Sequence, residues 1–308
     1  SAKKVDSKYV VASLEKGNKT KNIFADNLYK DIIDNSSNNS TVFNAVLQNL
    51  VDQKFPVNDD MKEDAATIIK QIKSAYKSNY GDNYKDSLNQ ALTSAGYKNL
   101  SEYRQRMIKQ IQYANFLLDY IDDHFDDVFN DYYQQCAPKY VSLIKISVSD
   151  TSSPTDDETS KLNEVKELIS NTDKSFGDIA QDYSDDSTSS KKGSLGIVDS
   201  KDTSGIANSY GKDVFNAIEA LSEGQVSDVI TGDNGYYFVK VTSTDKKTLK
   251  KELKKTDIDS PLLAYDDYLQ YVVYNSYKIN YKDKDIKKIV QEVVNKALEE
   301  RKTERGEA

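Results

Sequence analysis

The stretch YSDDSTSSKKGSLG, Tyr183–Gly196, gathers carboxylates, hydroxyls and lysines between two short sequence breaks. Asp182, Asp185, Asp186 and Ser187 lie close enough along the chain to grip a hard cation. They lack the Gly and the terminal Glu of an EF-hand loop, which argues against calcium. A carboxylate there can instead accept hydrogen bonds at the wall of a pocket. His124 and Cys136, each the only residue of its type, lie twelve positions apart. One thiol and one imidazole build neither a zinc site nor an internal disulfide. A Cys–His nucleophile pair would need them face to face, and a structural His with an inert thiol is the simpler reading. By composition alone, Tyr183–Gly196 suits a linker, a cation loop or one wall of an active site.

The surrounding elements narrow that choice. The chain has 308 residues, enough for two domains or for one domain with an insertion. Its formal charge of −8 repels phosphate, which disfavours nucleic acid as a partner. No apolar run approaches the roughly 20 residues that span a bilayer.

Residues 1–137 read as helical. Phe43, Val46, Leu47, Leu50, Val51 and Phe55 recur at the spacing of one helix face. In the later segment NLSEYRQRMIKQIQYANFLLDYIDDHF, Ser101 suits an N-cap. Tyr103, Met107, Ile111, Ala114, Leu118 and Ile121 mark its buried side. The character changes at Pro138. KYVSLIKISVSD alternates like a strand, two helical segments follow, and GKDVFNAIEALSEG reads as another helix. QVSDVIT and YYFVKVTST, separated by GDNG, carry the signal of a hairpin. The chain then turns basic and helical. Ile286, Ile289, Val290, Val293 and Leu298 form a stripe that needs a partner. The expected solution packs residues 246–308 on the N-terminal helices, with 138–245 as an inserted α+β domain.

The middle segment resembles the parvulin family of peptidyl-prolyl isomerases. Four pieces carry the resemblance, in order and at family spacing. They are the helix exit A-x-x-Y-S-x-D, the turn G-x-L-G, the helix end L-x-x-G-x-V-S and the last strand G-Y-x-x-x-K-V. The flanking VASLEKGNKTKN, LQNLVDQKF and ALTSAGYKNLSEYRQRMIKQIQYANFLL are similar to PrsA-type foldases and the related SurA chaperones. The resemblance implies an α+β chain: a mainly helical chaperone module carrying a small, antiparallel-rich sheet flanked by helices. It also implies a foldase at the outer face of a Gram-positive cell membrane. The tether would be a lipidated Cys outside this chain, the partners unfolded exported polypeptides, and a homodimer is compatible with it.

Turning an X–Pro bond crosses a barrier of roughly 18–20 kcal/mol and requires no cofactor. It requires a dry seat for the twisted proline and polar groups around the amide. In parvulins these are two facing histidines, a Cys or Asp beside them, and an apolar seat. By resemblance, the histidine positions fall at Lys145 and Tyr237, and the Cys-or-Asp position at Asp186. Leu195 keeps the turn's Leu, Tyr210 and Val214 stand at the Met and Phe of the seat, and Thr231 keeps a Thr. Lys145 and Asp186 are expected to form an ion pair, with Val214 leaving the seat open. Isomerase activity is then expected to be weak or absent. The acidic SDTSSPTDDET replaces the basic cluster of phosphopeptide-selective parvulins. An active isomerase and a non-catalytic docking protein are the rival functions. The 22 tyrosines suit either loose client contacts or half-buried core.

Overall fold

The computed structural model describes residues 10–16, 19–24, 39–171, 173–254 and 257–307. Before the middle domain come β1 (Val10–Lys16), β2 (Lys19–Phe24), α1 (Asn39–Lys54), α2 (Asp59–Tyr80), α3 (Tyr84–Ser94) and α4 (Leu100–Asp123). The middle holds α5 (Phe125–Cys136), β3 (Lys139–Ser147), α6 (Asp156–Ser170), α7 (Phe176–Tyr183), β4 (Ser194–Val198), α8 (Ile206–Tyr210), α9 (Lys212–Ala220), β5 (Ile230–Thr231), β6 (Gly235–Ser243) and α10 (Lys246–Leu253). The chain closes with α11 (Leu269–Asn275), β7 (Lys278–Tyr281) and α12 (Lys284–Glu304). It is an α+β fold.

Two compact units result: Ser1–Asp123 with Asp266–Ala308, and His124–Tyr265. The middle unit reaches further than 138–245 on both sides because its flanking helices are bonded into it. Tyr132 of α5 donates to Asp199 at 2.7 Å and stacks edge-on against Tyr265 at 5.2 Å. Lys250 of α10 pairs with Asp126 at 2.8 Å.

In the first unit, α1 buries Phe43, Val46, Leu47, Leu50 and Val51, the stripe read from sequence. α12 packs against α1, and α11 against α4. α12 buries Ile286, Val290, Val294 and Ala297, so its buried face is turned slightly from the expected one. The α4 cap also differs. Asn99, not Ser101, accepts the Glu102 backbone N–H, at 2.9 Å, so the helix opens at Leu100.

The N-terminal part is not wholly helical. β1 pairs antiparallel with β2 and with β7, in the order β2-β1-β7. Lys16 pairs with Lys19, and the intervening sequence, Gly17-Asn18, is a dipeptide that favours two-residue hairpins. β7 likewise interrupts a segment read as helix, and Tyr281 at its end pairs with Ala12. The tyrosines of that segment are mostly packing residues. Phe43 stacks on Tyr271 at 5.0 Å and meets Tyr274 edge-on at 5.2 Å, and Phe116 stacks on Tyr277 at 5.7 Å. The core reading of these tyrosines therefore prevails over the client-surface reading.

The middle unit is built on an antiparallel sheet in the order β4-β3-β6-β5. β3 is central and apolar on both faces. Val141 and Leu143 join Val198, Val214, Ile218 and Val239 in one core cluster, while Ile144 and Ile146 pack with Val165, Phe176 and Ile179 in another. A Thr155–Glu158 capping box starts α6, and Ser175 caps α7. Gly193 tightens the return into β4. It has φ +77°, and a Cβ there would strike the Leu143 carbonyl oxygen. Among the described residues no helix is long and apolar enough to cross a membrane.

Candidate active site

Lys145 and Tyr237 stand directly opposite each other on the paired strands β3 and β6. The ammonium of Lys145 lies 5.9 Å from the centre of the Tyr237 ring, a cation–π distance. The expected ion pair with Asp186 does not form. Lys145 leans toward Gly235, whose missing side chain leaves room: a Cβ there would come within 3.2 Å of Lys145 Cε. The backbone of Lys145 is held separately, its N–H by Ser184 Oγ at 3.0 Å and its carbonyl by the Asp185 N–H at 2.8 Å.

Asp186 leaves α7 through Ser184 and Asp185 and caps the 3₁₀ turn Ser187–Lys191. Its Oδ2 accepts from the Thr188 N–H at 3.1 Å, the Thr188 hydroxyl at 2.6 Å and the Tyr210 hydroxyl at 3.0 Å. No hydrogen bond to Oδ1 is formed among the described residues. The carboxylate is thus fixed through one oxygen and leaves the other available. The neighbouring acids point elsewhere: Asp182 to Lys174 at 2.5 Å, Asp185 to Lys161 at 2.8 Å and to the Ser147 N–H at 2.8 Å. They do not converge, and no metal-holding cluster occurs among the described residues.

Tyr210 is more than an apolar seat. Burial, with the Asp186 carboxylate beside it, pushes its hydroxyl well above the usual phenol range, so it remains a donor. Its ring meets Tyr237 edge-on at 6.0 Å. Tyr237 is 4% exposed and lies over Gly232, where a Cβ would come within 2.7 Å of its ring. Val214 is 1% exposed and sits in the same cluster, so the seat is floored by Val214 and flanked by two tyrosine rings, not vacant. Tyr210, Val214, Thr231 and Tyr237 line one groove of about 420 Å³. Leu195 packs at the edge of the same cluster but faces a different cavity.

Several positioning residues escaped the sequence reading. Asp202 accepts the N–H groups of Ile206 at 2.7 Å and Ala207 at 3.0 Å, which anchors the start of α8 and so places Tyr210. Lys139 donates to the carbonyls of Ile218, Glu219 and Leu221 at 2.8–3.0 Å, closing the end of α9 beneath Val214. An Asp four residues before a short apolar helix was a legible signal for the first. Nothing local signalled the second, which bridges segments about eighty residues apart.

Residues 143–243 match the family model Rotamase, described as a PPIC-type PPIASE domain. This match lies within the middle unit and spans about a third of the chain. The chain is also 32% identical over 141 residues to the foldase protein PrsA of Staphylococcus epidermidis, and equally to that of Staphylococcus aureus strain RF122. Each match spans 44% of this chain and 41% of the relative, so the likeness covers about two fifths of those proteins. Among solved structures, the crystal structure of PrsA from Bacillus subtilis aligns over 93% of this chain and 99% of its own, at 21% identity and TM-score 0.41. The sequence resemblance to PrsA-type foldases stands, most specifically in the rotamase domain.

Proposed function

We propose that this chain is an extracytoplasmic foldase that assists exported polypeptides, and that its rotamase domain has weak or no prolyl isomerase activity. One observation carries the second part. The paired positions on β3 and β6 hold a lysine over a tyrosine ring in place of two imidazoles. The imidazole acid–base chemistry that a histidine pair would bring is absent from these two positions. The groove is lined by Tyr210 and Tyr237, while Asp186 and Lys145 stand behind these rings and outside its described lining.

The rival, an active isomerase, draws on the open Oδ1 of Asp186, since a polar group aimed at the amide can lower the barrier without imidazole. A chromogenic proline-peptide assay separates the two readings. The expected rate is near the uncatalysed one for wild type and for Asp186→Ala alike. A robust rate that Asp186→Ala abolishes would overturn the proposal. The foldase role is measured apart, as suppression of aggregation of an unfolded client. Failure there, with isomerase also absent, would leave the docking-protein reading. The PrsA relatives support an extracytoplasmic location and clients among exported proteins.

A further inference from the structure

The middle unit has a second cavity, larger than the isomerase groove, at about 650 Å³. It runs beside β4, and Leu195, Ile197, Leu253 and Leu263 supply apolar lining. β4 is an edge strand whose one sheet neighbour is β3. Among the described residues, no third segment takes backbone hydrogen bonds from Leu195 through Ile197; the Gly196 N–H turns back to Ser194 Oγ at 3.2 Å and Val198 is buried, so the open edge is short. An unpaired strand edge next to an apolar groove is the arrangement that captures an extended chain by strand addition.

The charges select the occupant. Glu252 and Asp259 are both exposed at this cavity, and they are the charged groups among its described lining. Lys246, Lys247, Lys250 and Lys251 of α10, and Lys254 just after it, are not part of that lining. Lys250 is turned to Asp126.

We propose that this groove binds an extended polypeptide segment with apolar side chains at alternate positions and lysine or arginine around them, added as a strand beside β4. Its backbone meets the open edge, its apolar side chains meet the leucines and Ile197, and its cations meet Glu252 and Asp259. Proline is not needed, so the groove holds client chain independently of the isomerase groove. This inference rests on the foldase reading and gives it a substrate class.

The test uses the full chain and a fluorescein-labelled, proline-free nine-residue peptide alternating Leu and Lys, followed by anisotropy at low salt. A Leu–Glu peptide is the control. The lysine peptide should bind about fivefold more tightly, the size expected of two exposed charge pairs. Glu252→Lys with Asp259→Lys should reverse the preference, and a benzophenone placed mid-peptide should cross-link within 195–198 or 258–264. Should that double variant fail to fold, Glu252→Gln with Asp259→Asn should abolish the preference without reversing it. Equal affinity for both peptides, a preference that ignores these substitutions, or cross-links elsewhere would overturn the proposal. A dimer formed through β4 without peptide would also overturn it, since a second copy would then own the edge. Aggregation suppression by wild type is measured in parallel. Suppression with an unresponsive peptide preference sinks the groove alone, whereas loss of suppression sinks the foldase reading and the groove's client with it.

Discussion

Two of the middle unit's tyrosine–aspartate pairs look alike on paper and differ in kind. Tyr132 donates to Asp199 at 2.7 Å, and Tyr210 donates to Asp186 at 3.0 Å. Asp199 is 0% exposed, and both of its oxygens are occupied, by Tyr132, Thr203 Oγ1 and the N–H groups of Lys201 and Thr203. Asp186 is half-buried, takes its donors on one oxygen, and reaches the groove through Tyr210, which lines it. The first pair is a bolt that fastens α5 and the loop after β4. The second is a fixed polar wall with a lone pair to spare. Saturation of the carboxylate, and not its presence or its tyrosine, separates a structural acid from a candidate site acid.

The sharpest way to break that contrast is to remove each carboxylate. Asp199→Ala strands several buried donors and should cost about 4 kcal/mol in urea unfolding. Asp186→Ala loses a cap with water at hand and should cost about 1 kcal/mol. Equal losses would erase the distinction. Removing the phenols sharpens it next. Tyr132→Phe should cost about 2 kcal/mol, the range for a buried bond to a charged group, and Tyr210→Phe about 0.5–1 kcal/mol.

Alkaline pH offers a third handle. Burial, and secondly the neighbouring carboxylate, raises both hydroxyls in the folded chain. The stability they contribute is therefore fully present below the unfolded phenol value of about 10 and is lost as pH climbs through the folded values. Urea midpoints should fall above pH about 10, and Tyr132→Phe and Tyr210→Phe should each flatten that fall. The smallest effect belongs to Thr188→Val, which removes one hydroxyl from Asp186 and should cost about 0.5 kcal/mol while freeing Tyr210 to reorient.

Much of this site was legible because its spacing is local or follows strand pairing. The Y-S-x-D exit puts Asp186 at a fixed distance from α7, and alternation along β3 and β6 puts Lys145 and Tyr237 face to face. What was misread depends on where long side chains go. Charge alone predicts a Lys145–Asp186 pair, but the space over Gly235 and the face of Tyr237 decide otherwise. Tyr210 was taken for an apolar seat because its hydroxyl partner lies on a different loop. In the fold, helical stripes such as Phe43–Val51 are plain in the sequence, while β1 and β2, which pair with each other and with β7, carry no such stripe. β7 was lost because its partner is at the other end of the chain.

That last pairing has a consequence in time. Residue 12 meets residue 281, and residue 145 meets residue 237. Contacts so distant in sequence close large loops before they return any stabilisation, and they slow folding accordingly. A chain emerging from its N-terminus makes β1 about 270 residues before β7 can cover its second edge. Until then β1 keeps an open strand edge, the kind of surface on which partly made chains aggregate.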